Sequence, residues 1–380
     1  MLGLRPAVPE ADRGMGAPLT ALDATEAVGT VLEHWLGTAL DRTRETDALF
    51  AHDVADRVSA FAQRGGKRLR TAFTWCGWRA AGGSGDADAV LRTAAALELL
   101  QACALVHDDV MDGSVLRRGA PALHVDLARK HWAAGMSGSP ESFGVSAAVL
   151  AGDLALAWAD DLLTETALAS PHGAALHREW QAMRGEMVAG QYRDLHSQAT
   201  DSSGVDEALT VATLKSALYT VARPLALGAS LAGADERTLD TLRAAGRCAG
   251  LAFQLRDDLL GAFGDPARTG KPSDDDLRSR KLTYLLAGAV RLAEARGDGE
   301  AAAVLAPGTG QRSPRTVDRM RAALERVGAR DMVEEKIADL AARSLRHFAA
   351  TGADPAVRRE FAELVARASG SGPHRGGEDA

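Results

Sequence analysis

Apolar residues along this chain recur at three- and four-residue spacings with charged positions between them, the periodicity of helices buried on one face. Ala, Leu, Glu, Arg and Asp dominate, and no stretch sustains the alternation of Val, Ile, Thr and aromatic residues that a half-buried strand requires. The pattern predicts helices over 24–63, 68–82, 86–112, 121–134, 144–167, 173–196, 206–218, 221–232, 235–264, 274–297, 315–327 and 329–369, an all-α chain. Gly82-Gly83-Ser84-Gly85, the Gly135–Gly144 stretch with Pro140, Ser202-Ser203-Gly204 and Pro307-Gly308-Thr309-Gly310 read as loops inside one domain over 21–368. Residues 1–20 and 369–380 have little to bury and are expected to be disordered.

The 380 residues carry 44 Lys and Arg against 51 Asp and Glu, a formal charge of −7, and 4% of them are aromatic. That balance leaves no electrostatic footprint for nucleic acid, so any anion must be held locally. The apolar stretch from Val90 to Val106 is interrupted by Arg92, Glu98 and Gln101 and is expected to fall short of a membrane span. Pro6, Pro9, Asp12 and Arg13 stand where a signal peptide would need continuous apolar residues, which makes a cytoplasmic location the default expectation. Cys76, Cys103 and Cys248 lie far apart in apolar contexts and read as small core residues.

Chemistry concentrates in two acidic words. His107-Asp108-Asp109-Val110-Met111-Asp112 ends a long apolar helix, and the four-residue step from Asp108 to Asp112 places both carboxylates on one face. Like charges so placed repel, and with no other neutralising partner evident the word reads either as a solvated acidic helix end or as a site for a cation. Oxygen donors without His or Cys at ligand spacing favour a hard one such as Mg²⁺. The second word, Gln254-Leu255-Arg256-Asp257-Asp258, follows another apolar helix 149 residues after Asp108. Two such pairs facing one cavity would need an anion between them. Gly65-Gly66-Lys67-Arg68-Leu69-Arg70, Arg117-Arg118, Lys215, and Lys271 with Lys281 supply the cations for a diphosphate. Only six lysines occur, and four of them (Lys67, Lys215, Lys271 and Lys281) fall in these segments, where a compact point charge is preferred to a planar guanidinium.

These words resemble the trans-isoprenyl diphosphate synthases, the polyprenyl synthetases. From Arg64 to Leu286 the chain holds GGKRLR, LVHDDVMDGSVLRRG, GDLAL, GQYRDL, KSALYT, FQLRDDLLGAFGD and GKPSDDDLRSRKLT in family order. The resemblance implies an antiparallel helical bundle with a central cavity, usually a homodimer, that condenses isopentenyl diphosphate with dimethylallyl, geranyl or farnesyl diphosphate. It implies Asp108, Asp112 and Asp257 as main Mg²⁺ ligands of a three-ion cluster in which Mn²⁺ can substitute, supported by Asp109, Asp258 and Asp265. Lys67, Arg70 and Arg118, with Gln101 where His is common, resemble the isopentenyl site. Arg117, Lys215, Lys271 and Lys281 resemble the allylic diphosphate contacts, while Gln254, Ser216 and Lys215 resemble the polar lining beside a developing carbocation. Gln191 and Asp194 are expected on the same wall, and His107 is expected to be structural. Gly261 departs from the family by replacing the last Asp of the second word, with Asp265 remaining.

A product tail anchored at Asp108 would run back along its helix past Ala104 and Cys103, both small, toward Leu100 and Leu97, with Trp75 and Trp78 completing a floor near twenty carbons. That expectation favours geranylgeranyl diphosphate, with farnesyl or longer products as alternatives. A terpene cyclase or a non-catalytic synthase subunit fits less well, because both Asp pairs and two cationic sites are present.

Overall fold

Helix α1 (Ala21–Thr46) starts at a reciprocal capping box: the Thr20 hydroxyl accepts from the Asp23 N–H, and the Asp23 carboxylate accepts from the Thr20 N–H. The chain is described by a computed structural model over residues 20–202, 204–264, 275–279, 281–306 and 313–370. The single helix expected over 24–63 is broken at Asp47, whose side chain accepts from the Phe50 N–H at 2.6 Å and opens the short α2 (Ala48–Phe50). A π-helical turn (Ala51–Ala55) then leads into α3 (Asp56–Gln63). There follow α4 (Leu69–Ala80), α5 (Asp88–Met111), α6 (Leu123–Ala133), α7 (Pro140–Ala169) and α8 (Gly173–Ala199). Pro140, expected in a loop, is the first residue of α7: Ser139 caps that helix, and a proline at the first position forfeits only an N–H that lacks an intrahelical partner.

The segments expected over 206–218 and 221–232 are one run: α9 (Val205–Val211), a π-helical stretch (Ala212–Ala222) and α10 (Arg223–Leu231). Beyond it lie α11 (Glu236–Phe263), α12 (Asp275–Ser279), α13 (Tyr284–Ala295), α14 (Gly299–Leu305), α15 (Pro314–Arg326), α16 (Ala329–Ala349) and α17 (Pro355–Ser369). The helix expected over 329–369 divides because Gly352 takes a φ of 74° and Asp354 caps a new start at Pro355. The one strand pairing among the described residues is a hairpin that joins β1 (Leu116–Arg117) to β2 (Ala120–Pro121). The expectations for residues 1–19 and 371–380, and the loop at 307–310, lie outside the described residues.

Two cores meet on α5. Its first turns, Val90 and Leu91, pack with Trp75, Trp78, Leu225 and Phe361, whereas Leu97, Leu100, Cys103 and Val106 pack with Trp158, Leu162 and Leu176. A third core joins the second half of α11 to α12–α16. The π-helical stretch lies between α8 and α11, and Arg223 at its end donates to Glu179 at 2.6 Å and to Glu186 at 2.8 Å on α8. By length and composition α5 and α7 could each cross a membrane, against the expectation for Val90–Val106. In the fold α5 is a core helix with 72% of its most apolar stretch buried; the corresponding figure for α7 is 44%. The rest of α7 presents Phe143, Val145, Val149, Leu150 and Leu168 outward.

Candidate active site

Both acidic words end helices, α5 and α11, so their carboxylates sit at the negative end of a helix dipole and repel one another. The structure pairs those of the first word directly with cations that the sequence assigned to a bound diphosphate. Lys215 Nζ, on the π-helical stretch, donates to Asp108 at 3.0 Å and to Asp194 on α8 at 2.6 Å. Lys281 Nζ lies 3.3 Å from the same Asp194 oxygen and 3.9 Å from Asp112. Arg117 Nε donates to Asp109 at 2.8 Å, and its Nη2 lies 3.5 Å from Asp108. The acidic residues of the first word are therefore neutralised by cations of this chain, and the expectation that they lack other partners is corrected. The lysines that do so are 107 and 173 positions away from Asp108 (215 − 108 and 281 − 108).

Gly190 makes this approach possible. A Cβ there would stand 2.3 Å from the Lys215 backbone nitrogen, so only glycine lets α8 and the π-helical stretch come close enough for Asp194 to reach the lysine. Wide π turns of this kind recur at functional sites. This one carries Lys215, the half-buried Ser216, and Tyr219. Gln191 Nε2 donates to Asp108 at 3.2 Å. His107 turns away: its Nε2–H donates to the Val149 carbonyl at 3.1 Å, tying α5 to α7.

Burial raises the Asp108 carboxyl, but Lys215, Lys281 and Arg117 outweigh it and hold the group below its ordinary value. Asp194, only 1% exposed, is likewise raised by burial and brought net below its usual range by Lys281 and Lys215. Burial depresses Lys281, yet Asp194, Asp112, Asp276 and Asp108 together push it well above a normal lysine. Lys281 thus feels the first acidic word and the neighbourhood of the second at once. On α11, Gln254 Nε2 donates to Asp258 at 2.7 Å, and Asp257 is half-buried beside it. Burial, with the charges of Asp276 and Asp257 adding to it, raises Asp258 to about 8.

A second group of cations gathers where the α3–α4 loop meets the hairpin. The Arg118 guanidinium lies against Gly66, where a Cβ would be 3.0 Å from its Nη2, and Lys67 is exposed in the same loop. Burial lowers the Arg118 pKa and Arg117, Arg70 and Arg64 lower it further, with Glu98 opposing. Arg68 and Arg118 both hold left-handed backbone, φ 44° and 53°, a strain that functional loops accumulate. Arg70 stacks over the Tyr219 ring at 4.2 Å, and Tyr219 donates its hydroxyl proton to Gln101 at 2.8 Å. Tyr219 lay within the KSALYT word but drew no role from it.

The proposed tail path is also revised. Ala104 is half-buried on the Asp108 face, one turn earlier. Cys103 instead faces α7, its Sγ 3.8 Å from His107 Nδ1 and its thiol raised by burial to about 12. Trp75 and Trp78 pack in a different core from Leu97 and Leu100. Lys271 and Asp265 lie outside the described residues.

The donors fit a hard divalent cation. Every acidic donor of the two words is a carboxylate oxygen, and Asp109 Oδ2 is buried with no hydrogen-bond partner. Among the described residues no three His, Cys, Asp or Glu side chains already converge on one point. Phosphate and water oxygens would complete the shell, as is usual for Mg²⁺.

Fold and site together define an all-helical protein in which two aspartate-bearing helix ends share a set of lysines and arginines. The chain belongs to the polyprenyl synthetase family, whose profile matches residues 53–327. It is 39% identical over 219 residues to a (2E,6E)-farnesyl diphosphate synthase of Mycobacterium bovis, covering 57% of this chain and 55% of that protein. It is 38% identical over 230 residues to a geranylgeranyl diphosphate synthase of Mycobacterium tuberculosis, covering 60% and 59%. The alignments thus span little more than half the length of these curated relatives. The solved geranylgeranyl pyrophosphate synthase of Corynebacterium glutamicum, complexed with isoprenyl diphosphate and magnesium, superposes with a TM-score of 0.84 at 38% identity, over 90% of this chain and 98% of that one.

Proposed function

We propose that the protein is a prenyltransferase that condenses isopentenyl diphosphate head-to-tail with an allylic diphosphate, in a reaction dependent on Mg²⁺, and that its main product is geranylgeranyl diphosphate. The observation carrying this reading is the meeting of the first acidic word, Asp194 and the surroundings of Asp258 at Lys215 and Lys281, beside a separate cationic loop. Two cation sets suit two diphosphates. A terpene cyclase needs only one.

Asp108, Asp112 and Asp257 would hold the metal, with Asp109 and Asp258 in support. Bound there, divalent cations supply neutralisation of the diphosphate leaving group. Lys215, Lys281 and Arg117 face the same group and stabilise charge as the C–O bond breaks, which is electrostatic preorganisation. Gln254 and Ser216 line the cavity beside the allylic carbon. Lys67, Arg70 and Arg118 hold isopentenyl diphosphate so that its double bond lies next to that carbon, and this proximity contributes much of the acceleration. Gln101, fixed by Tyr219, replaces a possible cation with a hydrogen-bonding amide.

For product length, Ala104 leaves the first level above Asp108 open. An isoprene unit of about 5 Å matches one helical turn of about 5.4 Å, so a tail clears that level and meets Leu100 and Leu97, both fully buried, at the next ones. The outward apolar face of α7 supports a homodimer, since a patch containing Phe143, Val149 and Leu150 is costly to leave in water. Three buried free thiols suit the reducing cytoplasm.

The test incubates the purified chain with Mg²⁺, isopentenyl diphosphate and dimethylallyl diphosphate, and identifies the alcohols released by phosphatase. A twenty-carbon product is expected, shortened to fifteen carbons or fewer by Ala104→Phe. A cyclic hydrocarbon, or no turnover by the chain alone, would overturn the condensation reading. An unshortened product from an active Ala104→Phe would overturn the tail path.

A further inference from the structure

Helix α11 presents Asp257 and, one turn on along the same face, Gly261 instead of a third carboxylate. The space over Gly261 is not open. Asp276, on the separate helix α12, places its Oδ2 2.8 Å from the point where a Cβ on residue 261 would stand. Side-chain carbons do not approach an oxygen that closely, so a side chain at 261 would displace the Asp276 carboxylate from the position it holds. Asp276 also belongs electrically to the site, its charge acting on Asp258 and on Lys281. Its backbone is tied in as well: the Lys281 N–H donates to the Asp276 carbonyl at 3.0 Å, which joins it to the lysine that reaches Asp194 and Asp112.

We propose that Asp276 supplies, from a different helix, the carboxylate that Gly261 removes from the second acidic word, and that glycine at 261 serves to admit it. The inference rests on the proposed synthase reading, in which the Asp257 wall faces a divalent cation. In this chain that wall is composite: Asp257 and Asp258 come from α11, and the third acid comes from the segment that also delivers Lys281. An acid for the cation and an ammonium for the diphosphate are thus placed by one short stretch of backbone. The arrangement explains how the chain dispenses with an aspartate at 261, and it makes a counterintuitive prediction. Restoring the full aspartate word should do harm.

The test is calorimetric titration of Mg²⁺ into the full-length chain in the presence of inorganic diphosphate, with circular dichroism to confirm folding. Asp276→Asn, close in size, is expected to weaken Mg²⁺ binding by about tenfold or more, the scale seen when a group that orients or completes a metal site is lost. Gly261→Asp alone is expected to weaken it by about threefold or more, because the new side chain is driven into the Asp276 carboxylate. The double variant Gly261→Asp/Asp276→Ala is expected to recover to within about threefold of the unmodified chain, a non-additivity that marks two residues sharing one place. Unchanged Mg²⁺ affinity in Asp276→Asn overturns the proposal, and so does a folded double variant that binds no better than Asp276→Asn. If the unmodified chain condenses the two diphosphates while Asp276→Asn binds Mg²⁺ normally, only this inference falls. If the unmodified chain takes up no Mg²⁺ with diphosphate, the synthase reading falls with it.

Discussion

Replacing Asp194 with Asn isolates the charge that holds the site together. The carboxylate is 1% exposed and meets Lys215 at 2.6 Å and Lys281 at 3.3 Å. With an effective dielectric of about 20, those separations correspond to gross attractions of about 6 and about 5 kcal/mol, most of it offset by the desolvation of all three groups. Removing one member of a buried set costs about 3–5 kcal/mol. The lower end applies here, because Lys215 keeps Asp108 and Lys281 keeps Asp112 as second partners. At about 2 cal/mol/K per residue over 380 residues, a loss of about 3 kcal/mol lowers Tm by about 4 °C.

The same substitution predicts a functional change that a packing defect would not. Released from Asp194, both lysines settle on Asp108 and Asp112, so Mg²⁺ must displace them and the concentration for half-maximal turnover rises several-fold. The sign of the pH dependence follows from the lowered carboxyl of Asp194. Its stabilisation is complete above the unfolded value of about 3.9 and is lost as pH falls through the folded one, so the two proteins converge only in acid. Thermal melting followed by circular dichroism, with turnover measured against Mg²⁺, provides the assay. A Tm unchanged within about 1 °C, or a lowered Tm with an unchanged Mg²⁺ requirement, would refute the reasoning.

Tyr219→Phe leaves the Gln101 carbonyl oxygen without its donor, and chemical denaturation should record a loss of about 1–3 kcal/mol. Lys67→Ala or Arg70→Ala should raise KM for isopentenyl diphosphate more than for the allylic substrate, because uniform binding of one substrate is lost; the opposite split would exchange the two sites. Asp258, raised by burial to about 8, contributes most to stability below about pH 4 and progressively less up to about pH 8 in metal-free protein. Asp258→Asn should therefore show a flatter Tm profile between pH 5 and 8, roughly the span that separates the two pKa values. Asp108→Ala should lower kcat by at least about a hundredfold in the condensation assay.

Much of this architecture was legible because local signals agree with it. Apolar periodicity located the long helices, and the scarcity of lysine singled out Lys215 and Lys281 before any contact was known. What stayed hidden depends on contacts across the chain or on cap geometry. Asp47 and Asp354 open new helices through a single side-chain hydrogen bond each, and periodicity does not register the breaks before them. Pro140 reads as a breaker unless Ser139 is recognised as the cap before it. The π-helical stretch has ordinary helical composition; its wide turns coincide with the close approach of α8 at Gly190 and α11 at Gly250, which local sequence does not show. Cys103 and Ala104 are adjacent in sequence, and the helical step puts Cys103 one turn below His107 and Ala104 one turn below Asp108; which of those two sides lines the site and which packs on α7 is settled only by tertiary contacts. Asp276 was one of three consecutive aspartates, with nothing local to mark it as the one lying over Gly261.

Helix α7 supports α5 on one side, where Trp158 and Leu162 meet Leu97 and Leu100, and turns Phe143, Val149 and Leu150 to the outside on the other. The carbonyl that fixes His107, next to Asp108, belongs to Val149, a residue of that outward face. If a second copy covers that face, as proposed above, the footing of the first acidic word becomes a matter of association, and association obeys mass action. Dilution then acts as a reagent. Specific activity would decline below a threshold protein concentration with no change in substrate, metal or pH, and rates measured on dilute enzyme would understate those of the same molecule at cellular abundance.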